Sequence, residues 1–127
     1  MGEYFGDLKV WHKAMDLSVQ VYQFTEEFPK REMFGLSNQL RRASVSTMSN
    51  IAEGYGRGSR RDYVHFLTIA RGSNCEVEAQ LRLAERLGFG SNIKRQRSQG
   101  LCSEVGKMLN ALLRSLRGEE TRKFASA

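Results

Sequence analysis

A chain of 127 residues has the length of one domain and can bury a core without disulfide or metal staples. Hydrophobic residues at 40% and charged residues at 27% fit a water-soluble globular protein, and no apolar run approaches the length of a membrane span. Twenty Lys and Arg against fourteen Asp and Glu give a net charge of +6 and a pI near 9.7, with Arg preferred over Lys, a balance that suits a partner bearing phosphates.

The single proline, Pro29, and the scattering of β-branched residues favour helix throughout. A first helix is expected over about 7–28, with Asp7 as N-cap and Pro29 ending it. Its apolar arc is broad. Trp11, Met15, Ser18, Tyr22 and Thr25 lie on one side, and Val10, Leu17, Val21, Phe24 and Phe28 continue around. Part of that arc should therefore meet another helix or another subunit.

The second helix is expected over about 34–55. At 100° per residue, Leu36, Leu40, Ala43, Thr47, Ile51 and Tyr55 share one face. Gln39, Arg42, Ser46, Asn50 and Glu53 border it, where ordinary surface helices do not place such a line of polar groups. With Glu76 and Gln80 of the next helix they are read as a structural polar network that fixes helix register or subunit geometry. Gly54, Gly56 and Gly58 are expected to supply a left-handed cap and the chain reversal.

A third helix over 59–87 opens with Ser59-Arg60-Arg61-Asp62, a capping-box-like pattern. Tyr63, Phe66, Leu67, Ala70, Val77, Leu81 and Ala84 form its main stripe, and a second side carries Ile69, Leu83 and Leu87. After Gly88-Phe89-Gly90 a fourth helix over 92–117 sets Leu101, Val105, Met108, Leu109, Leu112 and Leu116 in register. Residues 119–127 lack periodicity and read as a disordered tail. Long amphipathic helices joined by short connections predict an all-α fold: one domain over 1–118, an antiparallel up-down-up-down four-helix bundle.

Bundles often house metals, but here Asp62-x-x-His65 has no second copy and His12 has only Asp16 near it. No serine sits in a nucleophile elbow. No metal, cofactor or catalytic residue is expected, and the chain does not read as an enzyme. Cys75 and Cys102 belong to no CxxC pair and are expected to be reduced, packed thiols. The N-terminal stretch lacks the pattern of a signal peptide, so a cytoplasmic location is expected. Gly54-Tyr55-Gly56-Arg57-Gly58 follows a helix, not a strand, and lacks the Lys-Ser/Thr of a Walker loop. Arg57, Arg60 and Arg61 nevertheless flank the start of helix three, where free N–H groups and the helix dipole favour anions. They form a candidate phosphate site, against the plainer reading of a solvated basic turn.

Several ordered motifs together resemble a known family. They are Asp7-Leu8-x-Val10-Trp11-x-x-Ala14, Phe28-Pro29 with Phe34-Gly35-Leu36, and Gln39-Leu40-Arg41-Arg42-Ala43 with Ser46. Asn50-Ile51-Ala52-Glu53-Gly54, Phe66-Leu67-x-Ile69-Ala70-x-Gly72-Ser73, and Glu76 and Glu78 with Gln80-Leu81 complete the set. In these the chain resembles the four-helix-bundle proteins encoded by intervening sequences in bacterial 23S rRNA genes. It departs from that pattern at Met48, at Asn74-Cys75, and at Lys94-Arg95-x-Arg97, which makes this copy more basic. The resemblance implies a left-handed antiparallel bundle that assembles into a ring, most often a pentamer. It is also similar to the accessory protein of diversity-generating retroelements, a basic pentameric bundle that works with a reverse transcriptase and its template RNA.

Two functions follow as expectations. The first is a non-enzymatic, ring-forming nucleic-acid-binding protein, with RNA preferred to DNA, that holds phosphates through Arg41, Arg57, Arg60, Arg61 and Arg71. Aromatic platforms for base stacking are not evident in the basic stretches. The second is a protein scaffold that recruits a nucleic-acid enzyme such as a reverse transcriptase.

Overall fold

The computed structural model describes residues 4–126, with side chains described through Gly118. Four helices carry the fold: α1 (Lys9–Thr25), α2 (Leu36–Gly56), α3 (Arg60–Leu87) and α4 (Asn92–Ser126). Short 3-10 turns at Phe5–Asp7 and Lys30–Glu32 precede α1 and α2, and no strand occurs among the described residues. Each helix packs against its neighbour in the chain, and α4 closes against α1.

The local chemistry explains where the helices begin and end, and it moves several expected boundaries. Asp7 does not cap α1. It belongs to the preceding 3-10 turn, in which the Leu8 N–H donates to the Phe5 carbonyl at 2.9 Å, and the N-cap position falls on Leu8. α1 also stops at Thr25, ahead of Phe28, because Pro29 disfavours helical backbone before it. The Thr25 hydroxyl donates to the Val21 carbonyl at 2.8 Å.

α2 starts after Gly35, which has no capping side chain. Glu32 substitutes for one, its Oε1 accepting from the Leu36 N–H at 3.1 Å. α3 begins as the sequence predicts, the Ser59 hydroxyl accepting from the Asp62 N–H at 3.1 Å. It ends on Gly88 at φ 71°, where the Phe89 N–H donates back to the Ala84 carbonyl at 3.0 Å. α4 does not stop at Gly118. Its backbone stays helical to Ser126 across most of the stretch expected as a disordered tail, since Glu119–Ser126 contains no proline and mostly good helix formers. Residue 127 lies outside the described residues.

The core divides into two apolar halves. Leu17, Val21, Phe24, Leu40, Val77 and Leu81 anchor one, and Val10, Ile51, Tyr63, Leu67, Val105 and Leu109 anchor the other. Between them lies a belt of small polar side chains, all buried: Ser44, Thr47, Ser73 and Asn74. The belt is internally bonded. Asn74 Nδ2 donates to the Cys102 carbonyl at 3.0 Å, and the Cys102 thiol points back to the Asn74 carbonyl at 3.4 Å. The Thr47 hydroxyl donates to the Ala43 carbonyl, and the Ser44 hydroxyl to the Arg41 carbonyl. Burial pushes the Cys102 thiol up to about 12. Cys75 departs from its expected packing: it is exposed on α3, and both thiols are free.

The loops at one end are tied together. The Ser91 N–H donates to Glu27 Oε1 at 2.8 Å and Lys94 pairs with the same carboxylate at 3.1 Å, which together hold Glu27 below the usual carboxylate range. The other end carries the turn between α2 and α3, where the basic cluster sits.

Candidate nucleic-acid interface

The turn between α2 and α3 is built by glycines that do different jobs. Gly58, at φ 82°, reverses the chain in the left-handed region, as the sequence suggested. Gly54 does not. It is buried inside α2, and a Cβ there would stand 2.7 Å from the Phe66 Cβ, so this glycine permits close approach of α2 to α3.

Arg57 follows directly as the C-cap of α2. Its guanidinium donates to Glu53 Oε1 through Nε at 3.0 Å and Nη2 at 2.8 Å, and it lies 5.1 Å from the centroid of the Phe66 ring. Arg60 is half-buried on the first turn of α3 and Arg61 is exposed beside it. Three guanidinium groups thus stand within two turns of chain around the N-terminus of a 28-residue helix.

The other two arginines singled out from the sequence lie elsewhere. Arg41 is about 24 Å from Arg57 along α2, taking the usual helical rise. There its Nε donates to the Thr25 hydroxyl at 2.8 Å and its guanidinium lies 4.7 Å from the Tyr22 ring centroid, a position that braces α2 against α1. Arg71 is half-buried further along α3.

Among the described residues Arg42, Glu53 and Asn50 are not bonded to one another within the subunit. Glu53 takes Arg57, its i+4 neighbour, instead of Arg42. Asn50 turns back along its own helix, Nδ2 donating to the Ser46 carbonyl at 2.8 Å and to the Ser46 hydroxyl at 3.1 Å. A cross-helix bond of the seam joins the Ser46 and Ser73 hydroxyls at 2.9 Å. Gln39, Arg42, Glu76 and Gln80 flank this pair and line an open, polar cleft of about 420 Å³ on the α2–α3 surface.

A second cleft adjoins the basic turn, and its lining was not found from the sequence. Tyr4, Phe5 and Trp11 from the start of the chain face Met48, Glu53 and Arg57 of α2 across an open space of about 630 Å³. Phe5 meets Trp11 edge-on at 4.9 Å and 61°, and Tyr4 meets Phe5 at 5.2 Å and 43°. His12 fastens this turn by donating from Nε2 to the Gly6 carbonyl. Among the described residues no group of His, Cys, Asp and Glu is placed to hold a metal ion, and no helix is long and apolar enough to cross a membrane.

Residues 6–111 match the family model described as 23S rRNA-intervening sequence protein. No curated protein matches the chain. A crystal structure of a protein of unknown function from the S23 ribosomal protein family of Bacteroides thetaiotaomicron VPI-5482 is similar, with a TM-score of 0.72 and 25% identity. The match covers 82% of this chain and 97% of that one.

Proposed function

The chain belongs to the 23S rRNA-intervening sequence protein family, and on that premise we propose that it is a non-enzymatic, oligomeric, cytoplasmic protein that binds RNA in preference to DNA through phosphate contacts. The observation that carries this reading is the basic turn. Arg57, Arg60 and Arg61 surround the N-terminus of α3, where the positive end of the helix dipole adds to the attraction for a phosphate oxygen. The net charge of +6 supplies long-range attraction to any nucleic-acid backbone. Arg41, engaged with Thr25 and Tyr22, and Arg57, paired with Glu53, would each meet a phosphate beside the contacts they already make.

The subunit is an antiparallel up-down-up-down bundle of left-handed twist, as neighbour-to-neighbour packing through short connections favours. It assembles into a ring, a pentamer by family resemblance. Support comes from unburied apolar side chains on two faces: Ile69, Leu83 and Leu87 of α3, at 40%, 48% and 51% exposure, and Val19 and Tyr22 of α1. Leu83→Glu should lower the oligomer mass seen by light scattering while the helical content is retained. The same faces favour a second reading, a scaffold that recruits an enzyme such as a reverse transcriptase.

The test is a salt titration of binding to structured RNA, duplex DNA and single strands. Changing Arg57, Arg60 and Arg61 to Ala together should weaken RNA binding and reduce the slope of log affinity against log salt by about 2, at roughly 0.7 per phosphate contact for a single strand. An unchanged affinity and slope would remove the turn as the binding site and give the scaffold reading the lead.

A further inference from the structure

The aromatic cleft lies directly against the basic turn, with Arg57 and its partner Glu53 common to both. We infer that this cleft receives one unstacked base of single-stranded RNA, whose neighbouring phosphates run onto Arg57 and Arg61. The inference rests on the nucleic-acid reading above and adds to it a second kind of contact and its place.

Three features of the cleft fit a base. Its rings are tilted or edge-on to one another, an edge-on contact covering one face of one ring, while Tyr4 stays 63% exposed, and a base presents a π-face whatever its identity. Its volume, about 630 Å³, falls in the range of small-molecule sites and admits a planar heterocycle. Its rim pairs a carboxylate with a guanidinium. Arg57 is held in place by Glu53 beneath it and the Phe66 ring beside it, so little side-chain freedom is lost when it meets a phosphate. Glu53, engaged through Oε1, can still accept from the amino group of a base.

The N-terminal wall is fastened before any ligand arrives, through His12 to the Gly6 carbonyl and Leu8 to the Phe5 carbonyl. A purely apolar protein partner would leave the rim pair buried without solvent, at a desolvation cost that a phosphodiester avoids.

Trp11 is the only tryptophan in the chain, so intrinsic fluorescence reads this cleft directly. The full-length protein is titrated with an eight-nucleotide oligoadenylate, following Trp11 emission and the anisotropy of an end label together. The expected result is quenching of Trp11 with the same midpoint as binding. Tyr4 is 63% exposed, so Tyr4→Ala should leave the circular dichroism unchanged. It should weaken oligoadenylate binding about 5- to 150-fold, the loss of one stacking contact.

Binding without quenching, unaffected by Tyr4→Ala but lost when the three arginines are changed, would overturn the base site and leave the phosphate reading standing. No binding by any variant or the parent would overturn both. A Tyr4→Ala protein that binds normally but has a lower oligomer mass would make the cleft a contact between copies, and the base site would again fall.

Discussion

Gly54 offers the sharpest test of how closely α2 and α3 approach. Changing it to Ala in an open helix would stabilise by about 1 kcal/mol through helix propensity alone. Here the added Cβ would lie 2.7 Å from the Phe66 Cβ and 3.4 Å from both Tyr63 Cδ1 and the Tyr63 carbonyl oxygen. Ordinary carbon contacts need about 3.5–4.0 Å, so roughly 1 Å of separation must come from moving the helices. The Phe66 Cβ is fixed to the backbone and cannot swing aside. Overpacking of this kind costs about 1–3 kcal/mol, and with a rigid neighbour the upper part of that range applies. Subtracting the propensity gain leaves a net destabilisation of about 1–2 kcal/mol. Gly100 is the control, because it lies in α4 with nothing within 4 Å of its added Cβ, and Gly100→Ala should stabilise by about 0.5–1 kcal/mol. Urea denaturation at one protein concentration measures both. A Gly54→Ala protein as stable as the parent, with Gly100→Ala behaving as stated, would refute the argument from close approach.

Tyr63 is buried with no hydrogen-bond partner for its hydroxyl among the described residues, so Tyr63→Phe should be neutral or stabilising by up to about 1 kcal/mol near pH 7, measured by the same denaturation. Burial raises the Tyr63 pKa from 10.0 to about 12, and the folded state therefore keeps a proton that the unfolded state releases; stability present below pH 10 is lost as pH rises towards 12, and Tyr63→Phe should flatten that part of the profile. Iodoacetamide at pH 8 should label the exposed Cys75 rapidly and spare Cys102 until the protein is denatured, as read by intact mass. Asn74→Ala removes the side-chain donor to the Cys102 carbonyl, while the Cys102 thiol keeps the backbone carbonyl of residue 74, and should cost about 0.5–1.5 kcal/mol in thermal or urea unfolding.

The helices were legible because their signals are local. A period of 3.6 marked the buried faces of α2 and α3, Ser59 and Asp62 marked a helix start, and Gly88 marked a helix end. The errors have physical causes of the same scale. Asp7 looks like an N-cap in isolation, but a 3-10 turn ahead of α1 absorbs it. Gly118 looks like a stop, yet one glycine costs a helix only about 1 kcal/mol against Ala, too little to end it when helix formers follow.

The candidate site was legible only in part. Arg57, Arg60 and Arg61 are adjacent in sequence and stayed together, whereas Arg41 went to a different helix contact. The polar border of α2 was visible as a pattern, but its pairing was not: Glu53 pairs with Arg57, its i+4 neighbour, whereas Arg42 stands about 16 Å away along the same helix. The aromatic wall was hidden by distance along the chain. Tyr4, Phe5 and Trp11 reach the basic turn only after α1 has docked on α2. No local signal reports that meeting, in which Met48 is one of the lining residues.

The polar belt across the middle of the bundle has a consequence for alignment. Sliding α3 against α4 by one turn, about 5.4 Å, would still set apolar side chains against apolar ones in much of the core, since helical faces repeat. It would not keep Asn74 against the Cys102 carbonyl, nor would a slide of α2 past α3 keep Ser46 against Ser73. Grease alone accepts several alignments; these few bonds accept one. The belt therefore acts as an index mark between the shafts, and the aromatic wall and the arginines, fixed to different helices some distance away, inherit their relative position from it.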